Sequence, residues 1–122
     1  MRVLIADDSD LILERLDQVL KQFEEVTIVG VCKSGTDALD TLLFLKPDLA
    51  ILDIKMPGLN GLEILKEIRK EKLNMKVIIL TFHATDFHRQ AAILAGADYF
   101  LSKVDDFEML SQVVNEILLI DK

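Results

Sequence analysis

Short apolar runs and amphipathic stretches alternate along this chain. Val3 to Ala6 reads as a first strand. A helical pattern follows, with Ile12, Leu16, Val19, Leu20 and Phe23 recurring at the helical period. Ser9 stands at the expected N-cap, and Asp10 falls in the first turn, where its charge favours the helix dipole. Thr27 to Cys32 reads as the second strand, and Ser34-Gly35 as a break. A second helix carries Ala38, Leu39, Leu42 and Leu45 until Pro47 stops it. The third strand begins at about Asp48, and Pro57-Gly58 and Gly61 mark the loop after it. A helix with Leu62, Leu65 and Ile68 on one face runs from about Leu62 to Lys72. Val77 to Leu80 is the fourth strand. The fourth helix, rich in small residues at Ala91, Ala92 and Ala95, ends at Gly96. A fifth strand covers about Asp98 to Leu101. The last helix runs from about Asp106 to Ile120, with Phe107, Leu110, Val114 and Ile117 inward.

Five strand–helix units of this kind predict an α/β fold. The strands are near-continuous apolar runs, which suits a parallel sheet covered on both faces. With 122 residues and no linker, repeat or low-complexity segment, one domain is expected over residues 1–122. The chain is 51% hydrophobic and 29% charged, a globular balance. No apolar stretch is long enough to span a bilayer, so no membrane partner is expected. Cys32 is the single cysteine and lies in an apolar run, so it reads as a small buried hydrophobe rather than a reactive thiol. With no signal peptide in view, a cytoplasmic location is expected. Net charge is −7, from 14 basic and 21 acidic residues. The Lys66 to Lys72 stretch alternates in sign and reads as a solvated helix face. Direct nucleic-acid binding by this domain is therefore not expected, since that needs a basic face. A protein partner is.

The chemistry lies where the strands end. Asp7 and Asp8 follow the first strand, Asp53 the third, Thr81 the fourth and Lys103 the fifth. In a parallel sheet all five share the carboxyl edge, where open α/β sheets build their ligand sites. Taken singly, each has an ordinary reading: acids at a helix start, a loop-capping acid, a strand-end threonine, a surface lysine. Together they suit a divalent cation and a phosphoryl group. Adjacent carboxylates repel unless a cation offsets them, and Mg2+ accepts carboxylate, water and phosphate oxygens. Asp53 is then a nucleophile able to form an aspartyl phosphate. Lys103 and Thr81 supply an ammonium and a hydroxyl for phosphoryl oxygens.

On these residues the chain resembles the receiver domain of two-component response regulators. The resemblance rests on Ala6-Asp7-Asp8, on Leu52-Asp53-Ile54-Lys55-Met56-Pro57-Gly58 through Gly61, on Leu80-Thr81, on Ala95-Gly96-Ala97 and on Lys103. It implies a flavodoxin-like, doubly wound five-stranded sheet of order 2-1-3-4-5 with five helices. It implies that Asp53 accepts a phosphoryl group from a sensor histidine kinase or phosphotransfer protein. Mg2+ would be bound directly by Asp8, Asp53 and the backbone carbonyl of Lys55, with Asp7 acting largely through water. Lys103 would contact the phosphoryl group, Thr81 would shift toward it, and Phe100 would turn inward. That coupling would remodel the surface of the fourth helix, fifth strand and fifth helix for a downstream protein target or output domain. Lys55 and His83 occupy the positions that tune phosphoryl lifetime in the family. His83 also has a plainer reading as an exposed loop residue, and His88 reads as an exposed helix residue.

Three positions depart from the family pattern. Val104 follows Lys103 where many receivers have a proline joined by a cis peptide, so a trans bond and a rearranged loop are expected. That departure resembles receivers that precede a helix-turn-helix output domain. Phe82 stands where the family has a small residue, and its bulk either restricts access or covers the loop. Phe100 lacks the hydroxyl of a tyrosine, and as a strand aromatic it also reads as core, with Tyr99 on the opposite face. Two further readings stay open: the excised receiver of a DNA-binding transcriptional regulator, and a metal-dependent phosphohydrolase with Asp53 as nucleophile. The second lacks an evident general acid, since Lys55 stands two residues after Asp53. A degenerate receiver that is never phosphorylated is disfavoured by the presence of all five edge residues.

Overall fold

Alternation within the strands divides the core into two layers. The structure is a computed structural model and describes residues 1–120. The last two residues of the domain expected over 1–122 lie outside the described residues. Strands β1 (Arg2–Ala6), β2 (Thr27–Cys32), β3 (Leu49–Leu52), β4 (Lys76–Thr81) and β5 (Tyr99–Ser102) form one parallel sheet of order β2-β1-β3-β4-β5. The helices are α1 (Asp10–Leu20), α2 (Gly35–Leu45), α3 (Gly61–Lys70), α4 (Asp86–Leu94) and α5 (Leu110–Ile120). Val3, Ile5, Leu49, Ile51, Ile78, Leu80 and Leu101 face one side, where α1 and α5 cover them. Leu4, Ala6, Ala50, Leu52, Val77, Ile79 and Phe100 face the other, against α2, α3 and α4. Successive strand side chains point to opposite faces, so each strand feeds both layers. Tyr99 and Phe100 part in this way, as expected.

Capping sets the helix starts. The Ser9 hydroxyl accepts the Ile12 N–H, as its position predicted. Ser34, read as a break, is instead the N-cap of α2, and Gly35 is already helical. Asn60 and Glu63 form a reciprocal capping box that starts α3 at Gly61. Gly61 has a further reason to be glycine. Its N–H bonds the Ile54 carbonyl at 2.8 Å, and a Cβ there would lie 2.2 Å from the Asp53 carbonyl oxygen. The tight β3–α3 turn thus holds the backbone beside Asp53.

Three expectations need correction. The chain after β5 does not enter α5 directly at Asp106: residues Phe107–Met109 form a 3₁₀ turn first. Phe23 lies beyond the end of α1, although it still packs against the core. The Lys66–Lys72 stretch is not solvated throughout, because Arg69 is half-buried. Its guanidinium donates to the carbonyls of Gly96, Leu73 and Met75 and to the Asp98 carboxylate, at 2.8 to 3.1 Å. Charge alternation marks a helix surface but does not separate a solvated arginine from one folded back onto backbone carbonyls. Gly96, with φ of +102°, ends α4 as expected and presses directly against the Arg69 side chain.

Candidate functional site

The strand register brings the predicted residues together. Ala6 pairs with Leu52, and Leu52 with Ile79, so Asp7 and Asp53 leave adjacent strands side by side. The ladder runs one residue further, with the Asp53 N–H on the Ala6 carbonyl at 3.1 Å and the Asp7 N–H on the Cys32 carbonyl at 3.0 Å. Thr81 pairs with Ser102, and the Lys103 N–H bonds the Thr81 carbonyl at 3.0 Å. Lys103 therefore enters from β5 on the far side of the two acids.

Lys103 is not the surface lysine of its ordinary reading. Its side chain is 1% exposed, and its Nζ lies 2.6 Å from Asp7 Oδ2 and 2.8 Å from Asp53 Oδ2. The other carboxylate oxygens are also engaged: Asp7 Oδ1 accepts the Ser9 N–H at 2.9 Å, and Asp53 Oδ1 accepts the Ile54 N–H at 2.7 Å. Burial raises the Asp7 pKa above its ordinary value. The Asp53 charge adds to that rise, while the bonds from Lys103 and Ser9 oppose it. Asp8 is exposed, and its carboxylate lies within 4.8 Å of those of Asp7 and Asp53. Two buried carboxylates thus share one ammonium, with a third carboxylate beside them. Hard oxygen donors in negative excess fit a small divalent cation such as Mg2+.

The remaining predicted residues line the same edge. Thr81 is fully buried, and its Oγ1 accepts the His83 N–H at 3.0 Å, which ties the strand end to the loop before α4. Lys55 is exposed on the β3–α3 loop, and His83 is half-buried on the β4–α4 loop. His88 is half-buried rather than exposed. Its Nδ1 pairs with Thr85 Oγ1 at 2.8 Å, and its ring meets the edge of Phe87 at 5.5 Å. Phe100 is 7% exposed, so its ring is inward in this state. The guanidinium of Arg89 covers it at 4.8 Å from the ring centroid.

Three contributors escaped the sequence reading: Ser102, Asp106 and Arg89. Ser102 Oγ accepts the N–H groups of Val104 and Asp105, each at 3.2 Å. Asp106 Oδ2 accepts the Ser102 N–H at 2.9 Å. Together they shape the rearranged loop expected after Lys103, and no peptide bond among the described residues is cis. The only sequence signal for this staple was a serine and an aspartate four residues apart at a strand end. Arg89 carried no signal, because its role depends on where α4 lies against β5.

Comparison with known proteins agrees with this geometry. The description of the response regulator receiver domain matches residues 3–115, and the chain belongs to that family. It is 34% identical over 116 residues to the transcriptional regulatory protein YvfU of Bacillus subtilis, covering 95% of this chain and 58% of that protein. It is 30% identical over 117 residues to the response regulator GacA of Pseudomonas aeruginosa, covering 96% of this chain and 55% of that protein. The chain thus spans little more than half the length of these relatives. Among solved structures, it superposes with a TM-score of 0.88 on a DNA-binding response regulator of the LuxR family from Staphylococcus aureus. The two are 33% identical, over 95% of this chain and 97% of that one.

Proposed function

We propose that the protein is a phosphorylation-controlled switch in which Asp53 accepts a phosphoryl group from a sensor histidine kinase or phosphotransfer protein. The observation that carries this reading is the buried Lys103 ammonium shared between Asp53 and Asp7, with Asp8 close enough to complete a cation site. Mg2+ would be held by Asp7, Asp8, Asp53 and the backbone carbonyl of Lys55. When bound, it supplies positive charge to the transferred phosphoryl oxygens. Each Asp53 oxygen keeps a lone pair beyond its present hydrogen bond, so one can attack phosphorus while the donor leaves with its electron pair. Lys103 then has a phosphoryl oxygen to bind in place of the carboxylate charge that the new acyl phosphate bond removes.

Thr81 links that event to the surface. Turning its hydroxyl toward the phosphoryl group would release the His83 N–H and free the loop before α4 to rearrange. Phe100 lies on β5 beneath the Arg89 guanidinium of α4, the helix which that loop leads into, so their packing would shift with it. Physically this is a population shift, since the phosphoryl group bonds better in one arrangement. Lys55 and His83 would set how long it lasts by lining the route of attacking water. On this reading the protein catalyses only its own phosphorylation and dephosphorylation. A cytoplasmic location goes with it, and Cys32 as a buried free thiol suits a reducing compartment.

A second reading concerns the output. The similarity to YvfU, a transcriptional regulatory protein of which this chain spans 58%, and to a DNA-binding response regulator among the solved structures, favours a receiver whose output is a DNA-binding domain. Among the described residues, no helix is long and apolar enough to cross a membrane. The decisive test is intact mass after incubation with Mg2+ and acetyl phosphate. One phosphoryl group on wild type and none on Asp53→Asn is expected. An equal adduct on both would remove Asp53 from its role.

A further inference from the structure

Phe82, the residue after β4, is 58% exposed and belongs to neither core layer. Its ring centroid lies 4.8 Å from Lys103 Nζ. That ammonium has three N–H donors, and two carboxylates account for its two hydrogen bonds. The ring covers the ammonium and is held there by attraction between the cation and its π face. Around it, Asp53 is 6% exposed and Asp7 1%, whereas Asp8 is open to solvent. The cation side of the site is therefore accessible at Asp8, and on the Lys103 side an aromatic ring that no core packing anchors sits beside the buried acceptor.

We infer that Phe82 is a gate on the phosphoryl pocket, limiting the approach of small phosphodonors and of water to Asp53. This rests on Asp53 being the phosphoacceptor. In transfer from acetyl phosphate, an Asp53 oxygen bonds phosphorus as the bond to acetate breaks, and acetate leaves with the electron pair. In hydrolysis, a water oxygen bonds phosphorus as the bond to Asp53 breaks. The carboxylate recovers the pair, and the water proton passes to solvent. Both displacements need an open line to phosphorus, and a ring seated on Lys103 narrows it. Because the ring is exposed and weakly held, it can swing aside when a larger donor surface buries it. The gate thus makes the site selective by size: slow for small phosphodonors, and slow to lose its phosphoryl group to water.

The test compares wild type with Phe82→Ala and Phe82→Tyr. It measures phosphorylation by acetyl phosphate, loss of the phosphoryl group after donor removal, and Mg2+ affinity by calorimetry. Phe82→Ala should accelerate both rates by about fivefold or more, with Mg2+ affinity within about twofold of wild type, and Phe82→Tyr should match wild type. Both rates of Phe82→Ala staying within about twofold of wild type would overturn the gate. So would slower phosphorylation with Mg2+ binding intact, which would make the ring an aid to Lys103 instead. Phosphorylation appearing only in Phe82→Ala supports a gate shut to small donors. Phosphorylation in neither protein removes the phosphoacceptor reading and the gate together.

Discussion

The two edges of the sheet handle charge in opposite ways. At the amino edge, Arg69 meets three backbone carbonyls and Asp98, and the same Asp98 oxygen accepts the Val77 N–H at 2.8 Å. The guanidinium faces a carboxylate, and its planar fork spreads its donors over the α3–β4 and α4–β5 turns. At the carboxyl edge, one ammonium serves two buried acids with a third acid beside them. The first arrangement leaves its carboxylate fully countered, with Lys76 Nζ a further 3.9 Å from Asp98, and joins α3 to the α4–β5 turn. The second carries an excess of negative charge that the chain alone does not neutralise. Countered charge holds the fold at one edge, and the excess negative charge at the other suits the cation and phosphoryl group proposed for it.

Breaking the mismatched edge should have the larger effect. Lys103→Met leaves Asp7 and Asp53 buried, adjacent and without a counter-charge. It should cost about 3 kcal/mol at neutral pH, because uncovering a buried charge is more damaging than losing an exposed pair. The deficit should narrow in acid, where Asp7 takes up a proton, and urea denaturation at two pH values measures both effects. A variant as stable as wild type at pH 7 would mean that the acids are not held by Lys103. At the matched edge, Arg69→Ala should cost about 2 kcal/mol, since several hydrogen bonds are lost but water reaches the freed carbonyls. Phosphorylation of Asp53 should continue in that variant, as the clamp lies at the other end of the strands. Loss of phosphorylation in a folded Arg69→Ala protein would break the separation of the two edges.

The carboxyl edge was far more legible than the amino edge. Asp7, Asp53, Thr81 and Lys103 each follow an apolar run, and a parallel sheet alone brings such positions together. Period likewise placed every strand to within a residue or so, and the Ser9 cap placed the start of α1, whereas the caps Ser34, Asn60 and Thr85 went unread. Arg69 was misread because its sign pattern belongs to the helix surface, while its partners, Gly96 and Asp98, lie across the fold. Ser102 and Asp106 were missed for a related reason: they act on loop N–H groups whose direction no periodicity encodes. Lys103 itself showed the limit from the other side. Its position was readable, but its near-complete burial follows from packing between β5, the β4–α4 loop and two acids.

The smallest expected effect sharpens the comparison most, because it concerns sign. Above its folded pKa, Asp7 is charged in the folded and the unfolded chain, and burial penalises only the folded one. As pH falls through that raised value toward the ordinary 3.8, the folded state binds a proton before the unfolded state does. Stability from this group therefore rises on acidification, opposite to the usual behaviour of a paired aspartate. Asp7→Asn removes the titration. The amide still offers an oxygen to Lys103 but turns a donor toward the Ser9 N–H, which offsets part of the relief. The net gain at pH 7 should thus be about 1 kcal/mol, fading toward pH 4. Denaturation of both proteins across that range reads the difference. Parallel curves would mean that Lys103 fully compensates Asp7, and that the carboxyl edge is as balanced as the amino edge before any cation binds.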